Sequence, residues 1–503
     1  MLTAATNRDD SRLSFWLRVR EFAVPPSMIE TATARRSVGD WVGACAAAGF
    51  DVDIDLRAVR RTRGRELAAR VRADLRHLAP DLLRWHMPRI APDGLLRPGL
   101  TIALARYDPP ELESHCSRTD SLYLVARTAP AWADAGQRIS LALWDRSHTG
   151  PPAGRHPHAR PDRRFRLDLH RHLWDARCND ELLIRSGAVE FGVDFGSGTP
   201  AAMATGELPA GVVGGLSVGP ERPNSTAYGG PITRAVAGLP ELPDGCAVGT
   251  WAAEVRTLIR ADGHPGPVLV RLGARRRLVV GVASGDGDSP ELVVHHQFPR
   301  GSVSSLPILP EAATWMLPDL ELLRAGAITV DRLHPLVAQA LRPVGVPAET
   351  RSAVGSSVAP GSVECRGERH RIGLVDGVLS ALDHDPDELR REELLVALTG
   401  TPLPCLQVID RAHRRPDCLA AVRERLNHGD IDGALAVVEE LLGPAAALRD
   451  GALRDDLEAV ARRRITYGLF RAGLSTPGPW PTEAHRLRRR NRGRSHPRLA
   501  TTR

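Results

Sequence analysis

Four runs decide how this chain folds: residues 99–107 (GLTIALARY), 121–128 (SLYLVART), 137–145 (QRISLALWD) and 164–170 (RFRLDLH). Each is β-rich or alternates apolar with polar residues, and turn residues separate them. No intervening segment is long enough for a crossover helix, so the spacing predicts antiparallel strands of one sheet. Upstream, Pro25-Pro26 opens a helix over Met28–Val38 that Gly39-Asp40 breaks, and a second helix starts at Trp41 and reaches about Ala48. Asp51 to Leu56 alternates strictly and reads as a strand. Leu67, Val71, Leu75, Leu78 and Leu82 mark a long helix ending near Pro88. A helix from about Leu173 to Ser186 closes a first α+β unit at 1–191.

Residues 192–249 hold 13 Gly and 7 Pro, the composition of a flexible segment. A small α+β unit at 250–342 follows: a helix (Trp251–Ala261), strands (Pro267–Leu272, Arg276–Ala283, Glu291–Phe298), then helices (Glu311–Ala325, Val330–Leu341). After a linker at 343–360, the unit 361–473 opens on a hairpin, Val363–Leu374 and Val378–Leu382, turned by Asp376-Gly377. Asp385-Pro386-Asp387-Glu388 then starts a helical pattern. The expected fold is therefore α+β and multi-domain: two mixed antiparallel-sheet units, a mainly helical C-terminal unit, and a disordered Arg-rich tail at 474–503. A length of 503 residues suits roughly three domains.

One internal echo crosses this layout. Gly39-Asp40-Trp41-Val42-Gly43-Ala44 and Gly429-Asp430-Ile431-Asp432-Gly433-Ala434 share the spacing G-D-x-x-G-A, each after a basic helical turn. It resembles the tight turn of tetratricopeptide-type helical hairpins, without the sustained repeats of a solenoid.

All 67 basic residues are Arg, and there is no Lys. That excludes a P-loop lysine, a kinase strand lysine and a lysine Schiff base. The scarcity of Asn, Ile, Phe and Tyr beside abundant Ala, Arg, Gly and Pro is what a high-GC genome produces; selection against surface amines is the other reading. Eight Arg (Arg486, Arg488, Arg489, Arg490, Arg492, Arg494, Arg498, Arg503) and no acid occupy 484–503, leaving 59 Arg against 60 acids elsewhere, so the tail carries the net charge of +7. Seven scattered Cys without a Cys-x-x-Cys pair point to reduced thiols. The first 22 residues have no apolar signal-like core, and no run approaches the ~18 residues of a membrane span. The expected location is the cytoplasm, with no membrane contact.

Asp168-Leu169-His170-Arg171-His172 is the leading candidate for chemistry. At a strand end, alternate residues share a face, so Asp168, His170 and His172 could converge on a metal. The run resembles the first metal motif of amidohydrolase-type and PHP-type phosphoesterases, which implies zinc or another divalent metal and a hydrolase or nuclease activity. Those enzymes need more ligands after successive βα units, whereas here a Gly/Pro-rich stretch follows; His295-His296 and Asp383-His384 lack the context. A second set, Cys365, His370, His384 and Cys405, matches no standard zinc spacing. Gly215-Leu216-Ser217-Val218-Gly219 fits a nucleophile elbow by letter, but Pro220 and Pro223 forbid the helix that must follow. The Arg tail has no aromatic beyond Trp480, so it would hold phosphates without stacking on bases.

The phrases Leu82-Leu83-Arg84-Trp85-His86 and Pro404-Cys405-Leu406-Gln407-Val408-Ile409-Asp410 resemble those of uncharacterised proteins of high-GC bacteria, a resemblance to which no activity attaches. The sequence therefore reads as a non-catalytic scaffold or adaptor with no cofactor, docking other proteins through helical surfaces and seeking anions through its tail. The alternatives are the metal-dependent hydrolase or nuclease, and a weak, sequence-independent nucleic-acid-binding protein.

Overall fold

In the computed structural model, the described residues are 12–108, 121–145 except 135, 156, 158, 160–187, 241–273, 276–283, 291–295, 302–341, 362–365, 368–375, 378–381, 385, 387, 390–391, 417–442 and 452–474. The chain is α+β. A helix at 12–18 runs on into a π-turn, Val19–Ala23, followed by α1 (Pro26–Ser37), α2 (Trp41–Ala47), β1 (Phe50–Asp53), α3 (Leu56–Arg63), α4 (Arg65–His77) and α5 (Pro80–His86). The one long helix expected over Leu67 to Leu82 is two, α4 and α5, and α3 precedes them. Gly64, at φ +96°, divides α3 from α4, and Pro80 starts α5.

Strands β2 (Thr101–Tyr107), β3 (Leu122–Thr128) and β4 (Ile139–Asp145) pair antiparallel, as their alternation predicts. The fourth strand is β1, which lies parallel to β4 and gives the order β1-β4-β3-β2. Arg164–His170 is not a strand. It touches the sheet at one bridge, Ala103 to Arg166, and then turns through 3-10 segments at Leu167–Leu169 and Arg171–Leu173.

Then come α6 (Glu181–Arg185), α7 (Val248–Asp262), β5 (Val268–Arg271), β6 (Arg277–Ala283), β7 (Glu291–Val294), α8 (Glu311–Thr314), α9 (Pro318–Arg324) and α10 (Pro335–Leu341). Trp251, Val255 and Leu258 of α7 pack on the β5-β6-β7 meander as a second core. The helices that follow go elsewhere: Leu320 and Leu322 of α9 and Val337 and Leu341 of α10 join the first core, beside Leu75, Leu82 and Trp174. The C-terminal elements are a meander of β8 (Ser362–Cys365), β9 (Glu368–Val375) and β10 (Val378–Ala381), then α11 (Asp417–His428), α12 (Ile431–Leu442) and α13 (Ala452–Ala472).

The sequence echo is built twice as the same turn. Asp40 Oδ1 accepts from Gly43 N at 2.8 Å while Arg35 donates to Oδ2 at 3.0 Å; Asp430 does the same with Gly433 N at 3.0 Å and Arg425 at 2.6 Å. Each Asp caps the second helix of its hairpin and pins the end of the first. A Cβ on Gly43 or Gly433 would lie 2.1 or 2.2 Å from Oδ2, the oxygen that accepts from the arginine, so the glycine makes room for the capping carboxylate.

Both hairpins meet at one side chain. Arg84 of α5 is fully buried and donates from Nε to Ala23 O (2.9 Å), from Nη1 to Gln137 O (2.7 Å) and Ala48 O (3.4 Å), and from Nη2 to His428 O (3.0 Å). Ala23, Ala48 and His428 end three helices, where carbonyls lack intrahelical partners and the helix dipole is negative. Three helix ends thus take the place of a carboxylate. Burial lowers the Arg84 pKa only to about 10, so the guanidinium stays charged at neutral pH. Arg84→Met should leave buried acceptors unpaired at a cost of about 3 kcal/mol or more. Hydrogen exchange in 417–442 should accelerate at least tenfold; unchanged exchange there would show that the hairpin does not depend on Arg84.

Candidate functional site

The candidate metal residues are all described, and they do not converge. Asp168 faces Arg166, which donates from Nε and Nη2 at 2.8 Å to its two oxygens and also reaches Asp262 at 3.1 Å. His170 is buried with Nδ1 3.0 Å from Arg166 O and Nε2 3.1 Å from Glu254 Oε2. Each ring nitrogen is turned toward an oxygen of the protein and not toward Asp168. His172 lies beside it, ring centroids 5.8 Å apart. Burial first, then the charges of His170, Arg185 and His86, drives the His172 pKa well down and keeps the ring neutral. Among the described residues, no three His, Cys, Asp or Glu side chains are arranged to hold a metal. Helical turning in place of strand pleating explains the divergence, because alternate residues no longer share a face.

These groups instead belong to buried polar pairs that join α7 to the 3-10 segment and α6, near others that join α5 to α9 and to the turn before α10. Arg185 donates from Nε and Nη2 to Glu254 at 2.9 and 2.7 Å. Burial alone would raise the Glu254 pKa, but His170 and Arg185 outweigh it and hold the carboxyl at about 2. On the other side, Trp85 Nε1 donates to Asp319 Oδ2 at 2.8 Å. His334 Nδ1 accepts from Leu336 N, which leaves the ring proton on Nε2 to donate to Asp81 at 2.8 Å. Every member has low exposure, and the pairing is what makes such burial tolerable.

No protein family, curated protein or solved structure matches this chain. The geometry alone must therefore carry the reading.

In the second candidate set, the β8–β9 register pairs Val363 with His370 and Cys365 with Glu368. His384 and Cys405 lie outside the described residues, as do Gly215–Gly219, His296, Asp383, the expected flexible segment as far as 240, and the eight tail arginines. From Glu241 onward the chain is held: Arg12 donates to Asp244 O at 2.9 Å, and Met316 N to Gly245 O at 2.8 Å.

A surface that the sequence reading passed over lies on α13. Its inner face is tied to the sheet edge: Tyr467 donates to Asp51 Oδ2 at 2.5 Å, Arg471 pairs with Asp53, and Phe470 meets Trp132 edge-on at 5.3 Å. Opposite, Ala461, Ile465, Gly468, Leu469 and Ala472 form an exposed stripe at helical spacing. Ile465 is 64% exposed and Leu469 42%, and nothing lies within 4 Å of a Cβ placed on Gly468. The signal was the i, i+4, i+8 spacing of 461, 465 and 469.

Acid sensitivity follows from the buried imidazoles. His428, like His172, is held neutral, its pKa pushed down to about 3 by burial and then by Arg89 and Arg84. Both folded values lie below the ordinary 6.5, so the unfolded chain binds more protons once pH falls below that value. Stability should be full above about pH 7 and fall with a slope approaching 2.7 kcal/mol per pH unit near pH 5. Glu254, depressed from 4.5 to about 2, adds a further loss below 4.5 in the same direction. Urea midpoints at pH 7.5, 6.0 and 5.0 measure this; a flat series would mean that these rings are not buried neutral.

Proposed function

We propose that this protein is a non-catalytic scaffold or adaptor of the cytoplasm that docks another protein on the outer face of α13 and uses its Arg tail for anions. The observation that carries the reading is the apolar stripe from Ala461 to Ala472, on a helix whose opposite face is fixed to the sheet. A helix that needed only to cover the core would not present Ile465 and Leu469 outward. Small residues at 461, 468 and 472 allow a second helix to approach closely. Arg462 and Arg464 flank the stripe, are exposed, and make no ion pair among the described residues. The partner this surface fits is an amphipathic helix with acidic residues flanking its apolar positions. The basic tail at 484–503 has the wrong charge for that place.

The location rests on the free thiols of Cys45, Cys178 and Cys246, which suit a reducing compartment. No described helix is long and apolar enough to cross a membrane.

A photo-crosslinking residue at Ile465, in cells of the source organism, tests the docking reading against the same residue at exposed Arg57 on α3. The expected result is an adduct specific to position 465, mapped to an acidic amphipathic helix and lost with Leu469→Asp. Labelling no greater than at Arg57, or an adduct on a segment of other character, would reject it.

For the tail, the full chain should bind mixed-sequence RNA and DNA with a log–log salt slope of about −0.7 to −0.9 per phosphate contacted and little sequence preference. A chain ending at Thr482 should lose most of that affinity. Equal binding by both chains would assign the tail to solubility alone.

A further inference from the structure

A cavity of about 370 Å³ opens between α4, the end of β2 and the 3-10 turns that follow the Asp168–His172 run. Its walls carry four guanidiniums, from Arg70, Arg106, Arg171 and Arg177, against two carboxylates, Asp74 and Asp175. Even with Asp108, which takes Arg106 Nε at 2.7 Å, one positive charge is in excess.

The carboxylates lie beneath the arginines. Asp175 is fully buried and the Asp74 side chain is 9% exposed, whereas Arg171 and Arg177 remain 29% and 39% exposed. Arg171 Nη2 reaches both carboxylates at 2.6 Å; Arg177 Nη2 reaches them at 2.5 and 2.8 Å. Tyr107 donates to Asp74 Oδ2 at 2.7 Å and fixes it from the other side. The two guanidiniums are thus oriented before any ligand arrives, so binding costs little side-chain entropy.

Donors remain for a ligand. Arg177 Nη1 and both Nη atoms of Arg106 have no acceptor among the described residues. Arg70 lies with its guanidinium carbon 5.4 Å from the Tyr107 ring centroid and has no carboxylate partner among them. Forked N–H groups brought by three elements to the wall of one small cavity suit a tetrahedral oxyanion of charge −2, which accepts from several directions at once. We propose that this cavity binds a phosphate dianion, either free phosphate or the phosphate of a small phosphomonoester. The volume holds a small molecule and not a strand of nucleic acid. The site is separate from the α13 surface and stands whether or not that surface docks a partner.

Cys178 lines the same cavity and reports on it locally, independently of the tail. Burial, then Asp175 and Glu181, raises its thiol pKa, and a bound dianion would raise it further while covering the sulfur. The experiment follows maleimide labelling of Cys178 in the full chain at pH 8 by peptide mass spectrometry, at constant ionic strength. Four additives are compared: inorganic phosphate, glycerol 3-phosphate, glycerol and chloride. Saturable protection of threefold or more by phosphate or glycerol 3-phosphate is expected, with none from glycerol or chloride. Stronger protection by glycerol 3-phosphate would identify a phosphomonoester as the ligand, weaker protection would identify free phosphate, and equal protection would support a site that reads the phosphate group alone. Arg70→Ala with Arg106→Gln leaves the buried clamp intact and should abolish the protection. An unchanged labelling rate, equal protection by chloride, or protection that survives the double substitution would overturn the proposal.

Discussion

One buried guanidinium ties the N-terminal helices to the end of α11. Arg84 reaches carbonyls on the N-terminal π-turn, the end of α2, the loop before β4 and the end of α11, the last of these 344 residues away in sequence. A buried charge normally requires a counter-ion, because desolvating it costs several kcal/mol. Here the negative ends of three helices supply the compensation, and so the helices must arrive with their C-termini converging. Arg89 extends the arrangement by donating to Arg84 O at 2.6 Å and Gly94 O at 2.8 Å. The twin Gly-Asp turns follow from the same constraint. At Gly429, with φ +85°, a Cβ would lie 1.9 Å from Gly136 O, so only glycine lets the α11–α12 turn come this close.

Around that hub, polar groups that look chemical in the sequence work in pairs to stabilise packing. Asp168, His170, Asp81 and Asp319 each face a partner in the interior: His170 joins α7 to the 3-10 segment, while Asp319 and Asp81 join α9 and the turn before α10 to α5. Two features of the described surface stand out: the apolar stripe of α13 and the arginine-lined cavity at the end of β2. Both lie on elements whose other side is anchored, which is how a rigid body presents a recognition surface.

Legibility in the sequence followed the range of the interaction. The alternation of 101–107, 122–128 and 139–145 was enough to place three adjacent strands, and the G-D-x-x-G-A spacing identified both hairpin turns, since all their partners are local. Phe165, Leu167 and Leu169 alternate as a strand would, yet Leu167–Leu169 folds as a 3-10 turn, and the sheet's fourth place went to Phe50–Asp53. Parallel pairing across some ninety residues leaves no local trace. That α9 and α10 join the first core was equally hidden, because their sequence neighbours build the second. Arg84 was least legible of all: arginine reads as a surface residue until its partners are known.

The central claim is that Arg84 is immobilised by the carbonyls of separate helix ends. Nitrogen-15 NMR of the guanidinium groups in arginine-labelled protein tests it most directly, with the Arg84 signals assigned by their loss in Arg84→Lys. The account predicts four separate Nη–H resonances for Arg84, slow to exchange with water and slow to rotate about the Nε–Cζ bond, because each amine holds its own acceptor. A single averaged, rapidly exchanging Nη signal would contradict it and would mean that the end of α11 is held to the N-terminal helices by something other than this residue.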